Sequence, residues 1–270
     1  MSALYPSLNG KNVVVSGGAD GIGAATVKLF ALQGCQVFFL DISKEKADKV
    51  INDIKQINEA NAPGRPAVKT PIFYECDVTD LLLLESIAKD ILHKHEIVHV
   101  LVNNAAAPGN KARQMTPEVT LEDWDFNVNT NLRHVFFLTK ALAPTMLSYG
   151  GGSIINLGSI TWRIPASGTP VYAACKAAIM GLTRSQSKEF GARNVRVNSV
   201  MPGAIATSNQ IEQVYKPSPE YHAEVIQSQS LKRDLQPEDV AKVIVFLGSD
   251  EASAVTGSSY VVDGGWTSDP

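Results

Sequence analysis

The architecture of this chain follows from eight residues, Ser16-Gly17-Gly18-Ala19-Asp20-Gly21-Ile22-Gly23, which lie between an apolar run, Val13–Val15, and a segment of helical length. Glycines in such a turn let the backbone approach a pyrophosphate and let the helix pack closely on the strand. The free N–H groups and positive dipole end of the helix favour phosphate there. A glycine-rich turn alone is common, so its position between a strand and a helix carries the prediction of a dinucleotide site.

Short apolar runs alternate with segments of helical length along the whole chain. The predicted strands are Val13–Val15, Gln36–Leu40, Ile72–Tyr74, Val98–Val102, Ser153–Leu157, Val195–Val200 and Ser259–Val262. The predicted helices are Ile22–Gln33, Lys44–Glu59, Leu81–His95, Leu121–Leu147, Val171–Phe190 and Pro237–Leu247. Several strands are apolar without alternation, as expected for strands buried on both faces. This repetition predicts an α/β fold, a Rossmann-type doubly wound parallel sheet of about seven strands.

The pattern runs without a linker or internal repeat, so we expect residues 1–270 to form a single dinucleotide-binding and catalytic domain. Residues 207–230 are a long stretch without clear periodicity that contains Pro217 and Pro219. In a doubly wound enzyme this position suits a lid over the substrate. A passive pair of surface helices is the alternative.

Composition excludes several classes of partner. The formal net charge is −3 and no basic run occurs, so we expect no nucleic-acid partner. No apolar run approaches the roughly 20 residues that cross a bilayer, so we expect no membrane association. Three cysteines without CxxC spacing favour a reducing, cytoplasmic location. His93, His95 and His99 lack an acidic or cysteine partner at a ligand spacing, so we predict no metal site.

Asp41 closes the second predicted strand, eighteen residues after Gly23. A carboxylate there can accept hydrogen bonds from both adenosine ribose hydroxyls and would repel a 2′-phosphate, which favours NAD over NADP. The next residue, Ile42, is neutral and belongs to the same predicted site. A helix-capping aspartate is the alternative interpretation.

Two further short motifs follow strands. Asp77-Val78 comes after the third strand and Asn103-Asn104-Ala105 after the fourth. Ligands bind at the carboxyl ends of strands in open α/β sheets. Each motif alone could be a turn, and together they would line the edge of the crevice.

Tyr172 and Lys176 are spaced i, i+4 on one predicted helix, so their side chains share a face. Ser159 lies thirteen residues before Tyr172, just after a strand. An ammonium group and an oxidised nicotinamide would lower a tyrosine pKa of about 10, so that phenolate takes a proton from a substrate hydroxyl. Ser159 would hold the substrate oxygen, Lys176 would also hold the nicotinamide ribose, and Asn131 would hold a water between Lys176 and solvent.

The ordered set of motifs resembles the short-chain dehydrogenase/reductase family. Besides the glycine turn, its members here are Asp77-Val78, Asn103-Asn104-Ala105, Asn131, Ser159, Tyr172-Ala-Ala-Cys-Lys176, Asn198-x-Val-Met-Pro202-Gly203, Thr207 and Val262-Asp263-Gly264-Gly265. The set runs in family order over nearly the whole chain. The small departures are Ala106, where glycine is common, and Gly158, where a second serine is frequent.

The resemblance implies hydride transfer between a CH–OH group and NAD, and a homotetramer. It implies a catalytic tetrad made of Asn131, Ser159, Tyr172 and Lys176. It also implies cofactor contacts from the glycine turn, including Asp20 and Ile22, and from Pro202, Gly203, Ile205 and Thr207.

A narrower set of motifs resembles NAD-dependent sugar 1-dehydrogenases, which oxidise aldoses such as D-xylose at the anomeric carbon to the lactone. The set comprises Tyr5-Pro-Ser-Leu, Asn129-x-Asn131-Leu-Arg-His134, Gly158-Ser-Ile-x-Trp162 and Asp263-Gly-Gly-Trp266. A monosaccharide pocket needs polar groups and an aromatic plane, for which the candidates are Trp162, Arg163, Asn209 and Gln210. The alternative is that Trp162 only packs a loop and Arg163 is solvated.

Other functions stay open at this point. The same scaffold suits a 3-oxoacyl thioester reductase, a polyol or steroid dehydrogenase, or an enzyme of another secondary alcohol. Asp41 argues against an NADP-dependent reductase. A non-catalytic NAD sensor is a further alternative, although a sensor has no need for Ser159, Tyr172 and Lys176 together.

Overall fold

The computed structural model describes residues 3–59, 66–107 and 112–267, and its centre is one parallel sheet. The strands are β1 Asn12–Ser16, β2 Gln36–Asp41, β3 Ile72–Glu75, β4 Val100–Asn103, β5 Gly152–Leu157, β6 Val195–Pro202 and β7 Ser259–Val262. Their order is β3-β2-β1-β4-β5-β6-β7, and every neighbouring pair is parallel. The predicted α/β fold with a seven-stranded sheet is confirmed.

Helices cover both faces of the sheet. They are α1 Gly21–Leu32, α2 Lys44–Glu59, α3 Leu81–His95, α4 Leu121–Val128, α5 His134–Tyr149, α6 Pro170–Phe190, α7 Ser208–Gln210, α8 Pro219–Ser228 and α9 Pro237–Gly248. Within the described ranges, no helix has the length and apolar character needed to cross a membrane.

The core lies in two layers, one on each face of the sheet. Val13 and Val15 of β1 point into the layer that contains Phe30 of α1 and Ile244 of α9. Val14 points into the opposite layer, with residues of α3 and α5. Because both faces are apolar, β1 needs a continuous valine run rather than an alternating one.

The direction of winding changes at β1, which pairs with β2 on one side and β4 on the other. The crevice at such a point lies outside the carboxyl ends of the strands. The segments that follow β1, β2, β4, β5 and β6 therefore meet there, and these are the segments that carry the predicted site residues.

The predicted helix Leu121–Leu147 is interrupted, which corrects the sequence-based boundary. Asn129–Arg133 is π-helical and separates α4 from α5. The side-chain nitrogen of Asn131 donates to the Asn127 carbonyl oxygen at 2.9 Å, inside the ladder. Side chains that enter the ladder in this way shift its hydrogen bonds, which is a recognised cause of π-bulges at functional sites.

The stretch 207–230 is helical and not irregular as its sequence suggested. It forms α7, a π-helical turn Ile211–Tyr215, and α8. Pro219 is the first residue of α8, where the missing N–H costs nothing, so it starts a helix rather than breaking one. Tyr215 and Val225 form a small buried cluster with Ala206.

Candidate active site

The glycine turn after β1 has no room for side chains. Gly17 and Gly21 have positive φ, +66° and +52°. A Cβ on Gly23 would lie 1.8 Å from the Gly17 carbonyl oxygen, and a Cβ on Gly17 would lie 2.8 Å from the Ala105 Cα. The backbone is thus bare at the N-terminus of α1, and this cradle fits the pyrophosphate of a dinucleotide.

Residues after β4 fasten this turn. The side-chain nitrogen of Asn104 donates to the carbonyl oxygens of Ser16 (3.0 Å) and Gly17 (2.8 Å). The Ser16 hydroxyl oxygen accepts from the backbone N–H groups of Asn104 (3.0 Å) and Ala105 (3.1 Å). Asn104 and Ala105 therefore lie beside the glycine turn, where their position after a strand predicted them.

Asp41 lies at the end of β2 and points at the same turn. One carboxylate oxygen accepts from Ala19 N–H at 3.0 Å and the other from Ser43 N–H at 3.1 Å. The hydroxyl of Ser43, not Asp41, accepts from Lys46 N–H in the first turn of α2. Asp41 is therefore not the cap of α2, and its two oxygens retain lone pairs for ribose hydroxyls. Its neighbour Ile42 is 68% exposed at the rim.

Asp20 joins three elements at the mouth of the cradle. Its carboxylate accepts from Gly21 N–H (2.7 Å), from the Lys46 ammonium (2.5 Å) and from the Ser208 hydroxyl (3.0 Å). Burial acts to raise the pKa of Asp20, but these three donors together lower it below its ordinary value. Asp20 thus links α1 and α2 to the start of the 207–230 segment.

The predicted site residues that follow β3 and β6 differ in their contacts. Asp77 accepts from the N–H and hydroxyl of Thr79, both at 2.8 Å, while Val78 is buried in the core. The segment after β6 returns to the cradle, since a Cβ on Gly21 would lie 2.9 Å from the Thr207 methyl carbon. In this segment Pro202 ends β6, Gly203 packs on Asp263, and the backbone of Ile205 pairs with that of Leu235. Ile22, another predicted cofactor residue, is half-buried in α1.

Tyr172 and Lys176 lie on one face of α6, as their spacing predicted. The Lys176 ammonium lies 5.6 Å from the centre of the Tyr172 ring and donates to the Leu157 carbonyl oxygen at 2.8 Å. Ser159 follows β5 and caps a short 3₁₀ turn, accepting from Thr161 N–H at 3.1 Å. Its hydroxyl also pairs with the Thr161 hydroxyl at 2.6 Å. The carboxyl end of β5 and the first turns of α6 therefore bring Ser159, Tyr172 and Lys176 together.

Burial has the largest effect on the pKa values of Tyr172 and Lys176. It raises the pKa of Tyr172, and the Ser159 hydroxyl and the Arg113 charge oppose that rise without cancelling it. It lowers the pKa of Lys176 to about 8. The surrounding residues thus keep the phenol protonated near neutral pH, and a further positive charge is needed to form phenolate.

Asn131 lies in the π-helical turn and is fully buried. Its amide nitrogen donates to Asn127, and its oxygen accepts from Ala107 N–H at 3.1 Å. The side chain therefore fixes the loop after β4. Because the amide nitrogen and the amide oxygen both have protein partners, the water expected between Asn131 and Lys176 stays a prediction.

His134 is fully buried directly after the π-helical turn, and neither ring nitrogen has a hydrogen-bond partner. Burial lowers the pKa of His134 to about 3, and the Lys176 charge adds to this, against a weaker opposing effect of the Thr130 carbonyl. His134 is therefore neutral. It packs at the start of α5.

The predicted substrate residues lie on two segments, one after β5 and one after β6. Trp162 is 39% exposed on the 3₁₀ turn, Arg163 ends that turn, and Asn209 and Gln210 lie in α7. No motif pointed to Arg113, whose charge opposes the rise in the pKa of both Tyr172 and Tyr215.

Of the three clustered histidines, His93, His95 and His99, two make contacts that stabilise the fold. His99 accepts from Asn12 N–H at 3.0 Å, and His95 packs on Phe38 with ring centres 4.6 Å apart. Among the described residues, no group of three or more His, Cys, Asp or Glu side chains could hold a metal ion.

Comparison with known proteins agrees with this geometry. A family model described as enoyl-(acyl carrier protein) reductase matches residues 17–267. D-xylose 1-dehydrogenase from Caulobacter vibrioides is 41% identical over 98% of this chain and 99% of its own length. The chain belongs to the short-chain dehydrogenase/reductase family. It is therefore an oxidoreductase of that family, which confirms the expected class.

Two further short-chain dehydrogenases/reductases are similar over nearly their full lengths. A Rhizobium meliloti protein assigned provisionally as a galactose dehydrogenase is 37% identical, with 98% of each chain covered. A solved structure from Beutenbergia cavernae, assigned provisionally as an NAD(P)-dependent gluconate 5-dehydrogenase, contains NADP at low occupancy. It is 31% identical with a TM-score of 0.85, and the match covers 96% of this chain and 98% of that one.

Proposed function

We propose that this protein is an NAD-dependent aldose 1-dehydrogenase, which oxidises a cyclic aldose at its anomeric carbon to the lactone. The observation that carries the proposal is 41% identity to a D-xylose 1-dehydrogenase over nearly the whole of both chains. The convergence of Ser159, Tyr172 and Lys176 beside the glycine cradle supports it independently.

Tyr172 is the acid/base in this proposal. The phenolate oxygen takes the proton of the C1 hydroxyl while the C1–H bond breaks with its electron pair, and the carbonyl of the lactone forms. A bound oxidised NAD, held by the glycine cradle, would supply the hydride acceptor and a positive charge in the cleft. Ser159 holds the substrate oxygen by hydrogen bonding, and Lys176 holds a positive charge below the phenol.

The raised pKa of Tyr172 means that proton transfer depends on a further positive charge beside the phenol. Ser159 and Arg113 only partly offset the burial of the phenol. An added positive charge nearby favours the ionised form. Proton transfer from the sugar to Tyr172 therefore requires the oxidised cofactor in the cleft.

Asp41 supports the choice of NAD. A 2′-phosphate next to this carboxylate would be repelled; one carboxylate oxygen is held at the glycine turn by Ala19 N–H and the other by Ser43 N–H. The cofactor would be held by Gly17, Asp20, Gly21, Ile22, Gly23, Asp41, Ile42, Asp77, Val78, Asn104, Ala105, Tyr172, Lys176, Pro202, Gly203, Ile205 and Thr207. The lid role of residues 207–230, the homotetramer and the cytoplasmic location stay predictions.

The test is NADH formation from NAD with a panel of substrates. The panel contains D-xylose, L-arabinose, D-glucose, L-fucose, a polyol, a secondary alcohol and a hydroxyacyl thioester. We expect turnover of aldoses alone. Turnover only of the other compounds would overturn the sugar assignment and leave the family intact.

A second candidate is an acyl-thioester reductase, because the matching family model is described as enoyl-(acyl carrier protein) reductase. Reduction of an enoyl or 3-oxoacyl thioester by NADH or NADPH, with no activity on aldoses, would favour it. A sensor without catalysis would bind NADH but turn over nothing in either direction.

A further inference from the structure

Asp20 places a carboxylate at the end of α1 where the pyrophosphate of a dinucleotide would bind. It is the N-cap of this helix, and its Oδ1 accepts from Gly21 N–H at 2.7 Å. The unpaired N–H groups of the first turn and the positive end of the helix dipole favour an anion here. The Asp20 carboxylate already takes part of that positive potential, and its charge repels a second anion.

Other carboxylates surround the same opening. Asp41 accepts from the N–H of Ala19, the residue before Asp20, at 3.0 Å. A cavity of about 320 Å³ beside Asp20 is lined by further charged side chains, which are Lys28, Asp53 and Glu238. Carboxylates thus outnumber ammonium groups at the mouth of the cradle, and a pyrophosphate would add more negative charge.

Lys46 supplies a cation in contact with Asp20. Its ammonium lies 2.5 Å from Asp20 Oδ2, the oxygen that does not bind Gly21. The Lys46 backbone is held in the first turn of α2, where its N–H donates to the Ser43 hydroxyl at 3.4 Å. The side chains of Lys46 and Asp20 are only 48% and 32% exposed, so water screens the pair in part.

We propose that Lys46 is the counter-ion that lets the pyrophosphate of NAD bind beside Asp20. The proposal rests on the proposed cofactor site and does not depend on which substrate is oxidised. With Lys46 in place the pair has no net charge, so the phosphates meet the helix N–H groups without an uncompensated carboxylate. The lowered pKa of Asp20 keeps it ionised at neutral pH, so protonation cannot replace Lys46.

The structure also shows why an acid is present at this position. Asp20 Oδ1 accepts from the Ser208 hydroxyl at 3.0 Å as well as from Gly21 N–H, and so joins the start of α7 to the glycine turn. A second oxygen, Oδ2, then remains for Lys46. An asparagine could keep the two Oδ1 contacts without the charge, which makes Asp20→Asn the informative partner variant.

The test is the affinity of Lys46→Met for NADH, measured by fluorescence titration. At low ionic strength we expect the Kd to rise about fivefold, as for the loss of one partly screened charge. In about 1 M NaCl, where the screening length is about 3 Å, the difference should nearly disappear. In competition with NADH, ADP should show the same loss as NADH, whereas adenosine, which has no phosphate, should bind both proteins equally.

Lys44→Met is the matched control, since Lys44 lies in the same turn of α2 but pairs with Asp48 of its own helix at 3.1 Å. It should bind NADH like the wild type. The double variant Asp20→Asn/Lys46→Met should recover NADH affinity to within about twofold of the wild type, because the charge that needed a counter-ion is gone.

Three results would overturn the proposal. One is an unchanged Kd in Lys46→Met, and another is an equal loss in Lys44→Met, which would assign the effect to net charge. The third is a double variant as weak as Lys46→Met alone, which would show that Lys46 does not act through Asp20.

The failures of the two proposals are distinguishable. If the wild type binds neither NADH nor ADP, the proposed cofactor site is wrong and the counter-ion falls with it. If the wild type binds both and Lys46→Met is indistinguishable from it, only the role of Lys46 is wrong.

Discussion

His134 should make this protein sensitive to acid, and the size of the effect can be worked out from its environment. Its pKa is lowered to about 3 in the folded chain, against about 6.5 for an unfolded histidine. Below about pH 6.5, His134 therefore binds a proton in the unfolded chain but not in the folded chain. The contribution of His134 to the free energy of unfolding is therefore fully present above that pH and is lost as pH falls towards 3.

Between pH 7 and pH 5 this one residue should remove about 2 kcal/mol of the free energy of unfolding, at about 1.4 kcal/mol per pH unit below pH 6.5. Lys176 adds no slope in this interval, because its lowered pKa of about 8 still lies above it. A neutral replacement, His134→Gln, should remove the slope and leave the effects of all other groups in place.

The assay is urea-induced unfolding at pH 7, 6 and 5, with fixed protein concentration so that any association is held constant. The free energy of unfolding of the wild type should fall by about 2 kcal/mol more than that of His134→Gln over this range. His93→Gln is the control, since His93 is exposed on α3 and should follow the wild type. If the free energies of unfolding of wild type and His134→Gln fall equally with pH, the claim that His134 is buried in its neutral form is refuted.

Three further substitutions test the site. Tyr172→Phe should lower kcat by roughly 10² to 10⁴ with the Kd of NADH unchanged, and a stopped-flow rate near that of the wild type would exclude Tyr172 as acid/base. Asp41→Ala should lower the preference for NAD over NADP roughly tenfold to a hundredfold, measured as a ratio of kcat/KM values; an unchanged ratio would contradict its role. Gly23→Ala should abolish NADH binding in a fluorescence titration because its Cβ would lie 1.8 Å from the Gly17 oxygen, whereas Gly181→Ala, with open space at its Cβ, should bind normally.

Features coded by short stretches of chain could be predicted from the sequence. The glycine turn and Asp41 depend on backbone geometry between neighbouring elements, and each lies where its order along the chain placed it. The pair Tyr172 and Lys176 needs only one regular helix to share a face. The sheet order follows in the same way from repeated strand–helix–strand units.

Features that depend on distant partners could not be predicted. The π-helical turn at Asn129–Arg133 accompanies contacts of Asn131 with Asn127 and with Ala107 of another loop, which no local pattern reveals. Segment 207–230 carries prolines that suggested irregular chain, yet Pro219 starts a helix. Its apolar positions acquire meaning only when Tyr215 and Val225 pack together.

The protonation of Tyr172 shows the same limit. The i, i+4 spacing places Lys176 beside the Tyr172 phenol. The spacing carries no information about burial, which has the largest effect on the pKa values of both side chains. The ammonium is directed at the Leu157 carbonyl rather than at the phenol oxygen. The sequence therefore predicted the participants and not the direction in which their pKa values move.

Several buried polar side-chain atoms have no hydrogen-bond partner. In the described part of the chain they include Thr130 and His134 at the π-helical turn, Thr169 before α6, and the Tyr215 hydroxyl. Each is a stability cost that a core of apolar side chains would avoid. Proteins tolerate such departures mainly at functional sites. The unpaired atoms of Thr130 and His134 adjoin Asn131, so part of this cost falls at the π-helical turn that carries a predicted tetrad residue.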